Sequence, residues 1–141
     1  MKRLSISKIL VMLLSIVVLA ISVAAGPAPQ QPNVTFTQVG VFPTTMQVGE
    51  SYTVLVEVTS DIPFIFSAAL PSAFYPGRYV VAAQGDHSGP GRSAKLYITF
   101  TAKDSTAQLP GGVAPVAVVA GAHFKGGFVA TQRFDFLVAV P

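Results

Sequence analysis

From Val34 onward, apolar side chains recur at about every second position, and most of them are β-branched or aromatic. This is the period of strands with one buried face, because successive side chains of an extended chain point to opposite sides. The clearest stretch runs from Tyr52 to Thr59: Tyr52, Val54, Val56 and Val58 share one face, Thr53, Glu57 and Thr59 the other, and Leu55 alone breaks the alternation. Lys95 to Lys103 repeats it, with Leu96, Ile98 and Phe100 inward and Lys95, Tyr97, Thr99 and Thr101 outward. At the end of the chain Phe134, Phe136, Val138 and Val140 oppose Arg133, Asp135 and Leu137. Two segments, Ile62 to Ala69 and Val113 to Ala122, are apolar on both faces, which predicts strands near the centre of a sheet or under a loop. Pro63 and Pro115 lack an amide donor, so each marks a strand start, an edge or a bulge. In the first strand the phase slips from Val34 and Phe36 to Val39 and Val41, predicting a bulge or a change of sheet at Gln38 to Gly40.

Between these segments lie QVGES, LPSAFYPGR, QGDHSGPGRS, KDSTAQLPGG and HFKGG, rich in the Gly, Pro, Ser and Asp of turns. About seven strands alternating with turns, and no helical period after the first 25 residues, predict an all-β fold of two packed sheets.

The start of the chain differs. Lys2, Arg3 and Lys8 precede an apolar run from Ile9 to Ala25 that ends in Val23-Ala24-Ala25 and Gly26. This layout predicts a secretory signal peptide, residues 1–25, cleaved after Ala25. The run is shorter than the about 20 residues of a bilayer span, so contact with a membrane is expected only if this segment stays uncleaved. Residues 26–32, GPAPQQP, form a Pro-rich linker, and residues 33–141 the folded domain. The expected location is secreted or on the cell surface. With no Cys in the chain, disulfides, thiol chemistry and a lipid-modified cysteine are excluded.

The leader also explains the charge. Of the nine Lys and Arg residues, three are in the leader, leaving six against six Asp and Glu. A neutral domain with scattered cations lacks the basic stripe that nucleic-acid binding requires.

Three segments carry a family resemblance: FPTTMQVGESYTVLVEVTSDIPF (Phe42 to Phe64), AKLYITFTA (Ala94 to Ala102) and RFDFLVAV (Arg133 to Val140). In them the chain resembles the disulfide-free immunoglobulin-like β-sandwich domains of exported bacterial and archaeal surface proteins. The resemblance implies a two-sheet sandwich of about seven strands and a role as spacer, adhesion module, filament subunit or sugar-binding module. The Cys pair and the Trp of antibody-type domains are absent.

Candidate chemistry is sparse. Asp86, His87 and Ser88 bring acid, imidazole and hydroxyl together, but a triad draws its members from separate elements, and a polar turn is the expected reading. Gly89-Pro90-Gly91 leads toward a strand and lacks a donor at Pro90, so no phosphate cradle is expected. His87 and His123 have no local metal-ligand spacing, and the carboxylates lack the alternating pattern of a calcium loop. No catalytic residue, cofactor site or metal site is therefore expected, and the protein is read as a non-enzyme. Phe74, Tyr75, Tyr79 and Tyr97 are the candidate contacts for a protein partner or a glycan. Val34, Phe36, Val39 and Val41 form a candidate strand for exchange with a neighbouring copy. Asn33-Val34-Thr35 is an N-glycosylation sequon. The expected function is a structural or adhesion module acting through protein contacts or self-association, with glycan binding as the alternative.

Overall fold

A computed structural model describes residues 30–73 and 81–141. The strands lie in one compact unit, Pro32–Pro141. They are β1 (Val34–Val39), β2 (Ser51–Ala73), β3 (Val81–Gln84), β4 (Asp86–Ser88), β5 (Gly91–Ala102), β6 (Ala114–Phe124) and β7 (Val129–Val138), with one short 3-10 turn at Pro110–Gly112.

All seven strands belong to one sheet, ordered β3-β5-β2-β6-β7, with β1 and β4 also bonded to β2. The path is open, with β3 and β7 at its two ends. The expected immunoglobulin-like sandwich of two sheets is thereby corrected, and the reason lies in β2. Period-two reading separates Tyr52–Thr59 from Ile62–Ala69, yet the chain passes through Ser60 to Pro63 without leaving the sheet. The resulting strand is 23 residues long. Its first half pairs with β5, from Ser51↔Thr101 to Thr59↔Ser93, and on the other side with β1. The second half pairs with β6, from Phe64↔Phe124 to Ala73↔Val116, and with β4 at Ser67 to Ala69.

Two irregularities make this possible. Against β5 the register shifts between Thr59 and Phe64, and Pro63, with no donor to lose, sits in the gap. Against β6, Phe64 faces Phe124 and Phe66 faces His123, so Ile65 is an extra residue, a β-bulge. Upstream of the bulge the even-numbered side chains Val54, Val56, Val58 and Phe64 are buried; downstream the odd-numbered Ser67 and Ala69 are.

The expected phases of Tyr52–Thr59, Lys95–Thr101 and Arg133–Val140 agree with the burial along β2, β5 and β7. Other local expectations are revised. The slip after Phe36 is a turn: β1 ends at Val39, and Gly40 takes φ 87°, a left-handed conformation that favours glycine. Leu70 to Ala73 is strand, and so are Asp86 to Ser88, which were expected in turns. Gly85 admits β4 beside β2, since a Cβ there would lie 2.8 Å from the Ala69 carbonyl oxygen.

One core serves both halves of β2. It takes Leu96, Ile98 and Phe100 from β5, Val116, Val118 and Phe124 from β6, and Val138 from β7. Phe42 ties them together, stacking on Phe136 at 4.5 Å between ring centroids and meeting Phe100 edge-on at 5.4 Å. Two polar side chains are buried among the described residues, Ser67 and Thr106. Thr106 Oγ1 donates to the Gly112 carbonyl at 2.7 Å and accepts from the Val140 amide at 2.8 Å, which pins the C-terminal segment. The Ser67 hydroxyl has no hydrogen-bond partner among the described residues.

Phe42→Ala is expected to cost about 3–5 kcal/mol, as for a large aromatic removed from a core. Val41→Ala next to it, at an 85% exposed position, should stay within about 0.5 kcal/mol of wild type. Urea denaturation of both variants checks the contrast.

Candidate functional site

The bulge at Ile65 decides what the second half of the sheet shows to solvent. Had the upstream phase continued, Phe66, Ala68 and Leu70 would face inward and Ser67 and Ala69 outward. The observed strand does the reverse: Phe66 is 45% and Leu70 61% exposed, while Ser67 and Ala69 are fully buried. Full burial of a Phe or Leu side chain is worth about 1.5–3 kcal/mol, and an orphaned buried hydroxyl costs about 1–3 kcal/mol. On both counts the half-sheet is turned against its own hydrophobic interest.

Register places the outward side chains of this half in rows. Phe66, His123 and Val129 form one row across β2, β6 and β7. The next holds His87, Ala68, Gly121 and Thr131, with His87 supplied by β4. A third holds Leu70, Val119 and Arg133. The His87 ring lies 6.2 Å from the Phe66 ring, tilted by 34°. Val129 is 52% exposed, and the bulged Ile65 adds another apolar side chain at 48%. The single formal charge in these rows is Arg133 at the β7 rim, paired with Asp135 at 2.6 Å. The result is an apolar face whose one formal charge lies at the rim, with a histidine on either side of a phenylalanine.

The sequence candidates fall as follows. Asp86, His87 and Ser88 are consecutive strand residues, so the imidazole projects from the face opposite to the carboxyl and the hydroxyl. Asp86 is spent on the backbone: Oδ1 accepts from the His87 amide and Oδ2 from the Tyr97 amide, both at 2.8 Å, clasping β4 to β5. His87 and His123 do share one face, on either side of β2, but no group of three metal-ligating side chains forms among the described residues. Tyr97 is 51% exposed on β5, in register with Leu55. Phe74, Tyr75 and Tyr79 lie outside the described residues. In the candidate exchange strand, Val34 and Phe36 pack on the core, Val39 and Val41 are exposed, and β1 is bonded to the chain's own β2. A depression of about 340 Å³ on the first half is lined by Glu57, Thr59, Ser93 and Lys95. Its two charged groups are paired with each other at 3.4 Å.

Sequence reasoning missed Phe66, Leu70 and Val129. The available signal was the adjacent bulky pair Ile65-Phe66, which no strictly alternating strand can bury on one face.

No family model and no curated protein matches the chain. Among solved structures, it is similar to AvmM, described as catalysing macrocyclization in alchivemycin A biosynthesis. The TM-score is 0.51 at 11% identity, over 77% of this chain and 90% of that one. A FixG-related protein from Vibrio parahaemolyticus gives a TM-score of 0.42 at 11% identity, over 76% of this chain and 95% of that one. At such identity the first likeness is one of fold alone. It joins the open sheet in correcting the resemblance to immunoglobulin-like domains. The structural, adhesion or filament role that the resemblance implies falls with it.

Three substitutions test this site. Ser67→Ala removes an orphaned hydroxyl without opening a cavity and should raise unfolding free energy by about 1 kcal/mol, read from urea midpoints. Asp86→Ala should lower it by about 1–2 kcal/mol through two lost charge-assisted bonds, whereas His87→Ala should stay within about 0.5 kcal/mol.

Proposed function

We propose that this chain is an exported, non-catalytic binding domain that pairs with another protein surface through the apolar outer face of β2, β6 and β7, a second copy of the chain being its first occupant. One observation carries the reading: the Ile65 bulge turns Phe66 and Leu70 outward while burying the Ser67 hydroxyl, which has no hydrogen-bond partner among the described residues. Local rules of burial are broken in proteins mainly where function compensates, and exposed apolar patches mark interaction surfaces.

Charge favours a like partner. A two-fold interface sets a patch against its own copy, so a charged patch repels itself and a neutral one does not. The Phe66, Ala68, Leu70, Val119, Gly121 and Val129 surface is neutral, with its one charge at the rim already paired. The non-catalytic reading is supported by the engagement of Asp86 with two backbone amides and by the opposed directions of His87 and Ser88. The export reading is supported by the basic, apolar and small-residue layout of residues 1–25.

Light scattering on residues 26–141 over a concentration series tests the pairing. The mass is expected to move from monomer toward dimer, and the double variant Phe66→Ser with Leu70→Ser to remain monomeric at the same concentrations and with an unchanged urea midpoint. A monomer persisting up to about 1 mM, where association would be worth only about 4 kcal/mol, would refute the second copy as occupant.

A further inference from the structure

We infer that Asn33 is an N-glycosylation acceptor and that its first sugar residue lies over a polar depression formed by β1 and β2. The inference rests on the export reading and is independent of the apolar face, which occupies the other half of β2.

The sequon Asn33-Val34-Thr35 alone is a short pattern that chance supplies often. The structure adds three facts. First, Asn33 and Thr35 are both exposed, while Val34 between them is half-buried against the core. An extended chain turns alternate residues to the same side, so the carboxamide that reacts and the hydroxyl that is recognised project together from the surface. Second, the Asn33 backbone is held in both directions. Its amide donates to Asp61 Oδ1 at 2.9 Å, and its carbonyl accepts from the Asp61 amide at 3.2 Å. The side-chain amide, by contrast, makes no hydrogen bond to any described residue, so modifying it breaks nothing that holds the fold. Third, β1 is laddered to β2 on one side only, with no ladder to a described strand on the other.

The ground beside the acceptor suits a sugar. A shallow depression of about 250 Å³ is lined by Asn33, Thr35, Thr59, Ser60 and Asp61. These side chains offer hydroxyl and carboxylate oxygens to the hydroxyls of a sugar attached at Asn33, with no bulky apolar group in the way. A glycan there also covers the open edge of β1, where exposed amides and carbonyls otherwise invite pairing with another chain.

The reaction is a group transfer without oxidation or reduction. The co-reactant is an oligosaccharide carried on lipid pyrophosphate in the export compartment. The Asn33 carboxamide nitrogen forms a bond to the sugar C1, the C1–oxygen bond to pyrophosphate breaks, one amide proton passes to a base of the transferase, and lipid pyrophosphate leaves.

The experiment expresses residues 26–141 behind the leader of a host that glycosylates exported proteins, with an appended C-terminal Asn-Gly-Thr as an internal control. Molecules whose control site is occupied have met the transferase, and in these the peptide containing Asn33 is mapped by mass. A glycan mass on that peptide is expected, lost in Asn33→Gln and Thr35→Ala and kept in Thr35→Ser. An unmodified Asn33 peptide in molecules with an occupied control would overturn the inference. The host's leader replaces the chain's own, so failure of residues 1–25 to direct export is read separately, by whether the native full chain reaches the medium.

Discussion

The unbroken passage of β2 from Ser51 to Ala73 is the constraint on which the rest of the structure depends. One strand bonds to β1 and β5 along its first half and to β4 and β6 along its second. Were it cut at Ser60 to Pro63, the two halves would be separate ladders free to stack as two sheets. Its continuity joins them into one open sheet. It also means that any error in phase in one half propagates into the other unless an extra residue absorbs it. Ile65 is that residue, and because side chains alternate with period two, a single bulge suffices to exchange the inner and outer sets of everything downstream.

This explains why the fold was legible in part. The phases of Tyr52–Thr59, Lys95–Thr101 and Arg133–Val140 could be read because each strand has one wet face that marks itself with Thr, Lys, Arg or Asp. The Ile62–Ala69 segment carries no such mark: with apolar residues on both sides, its sequence contains the strand but not its phase. Pro63 signals an irregularity, and one lies there. Nothing local says whether such a residue ends a strand or sits in a bulge within it, because that depends on partners some thirty to sixty residues away. The same limit misplaced Asp86–Ser88. Gly, Asp and Ser are turn formers by local preference, and pairing with Ser67–Ala69 overrides that preference.

The candidate face was illegible for a further reason. Phe66 falls in a segment apolar on both faces and Leu70 at the head of a turn-like cluster, and their exposure on one strand face follows only from the bulge. The sequence drew attention instead to Asp86, His87 and Ser88, where polar groups of three useful kinds adjoin. Adjacency in a strand separates such groups, since neighbours point to opposite faces. The carboxylate most suggestive of chemistry turns out to be a clasp, closing β4 onto β5 through the Tyr97 amide.

The two halves of β2 consequently differ in kind. On the first, the outer face is polar: the Ser51 and Thr101 hydroxyls meet at 2.7 Å, those of Thr53 and Thr99 at 2.9 Å, and Glu57 pairs with Lys95. Its inner face carries the large side chains Val54, Val56, Leu96, Ile98 and Phe100. On the second, the inner positions next to Phe64 and Phe124 are small, Ser67, Ala69, Ala120 and Ala122, and bulk returns only at Val118 and Val116. The bulky Phe66 and Leu70 are left for the outside. Small inner residues let this half lie close on the core, where a larger side chain at any of these positions would overpack it. Close packing and the exposed apolar face are therefore one choice of phase rather than two features. A chain that buried Phe66 and Leu70 would need a wider core and would lose the face. The orphaned hydroxyl of Ser67 marks the side on which that choice was made.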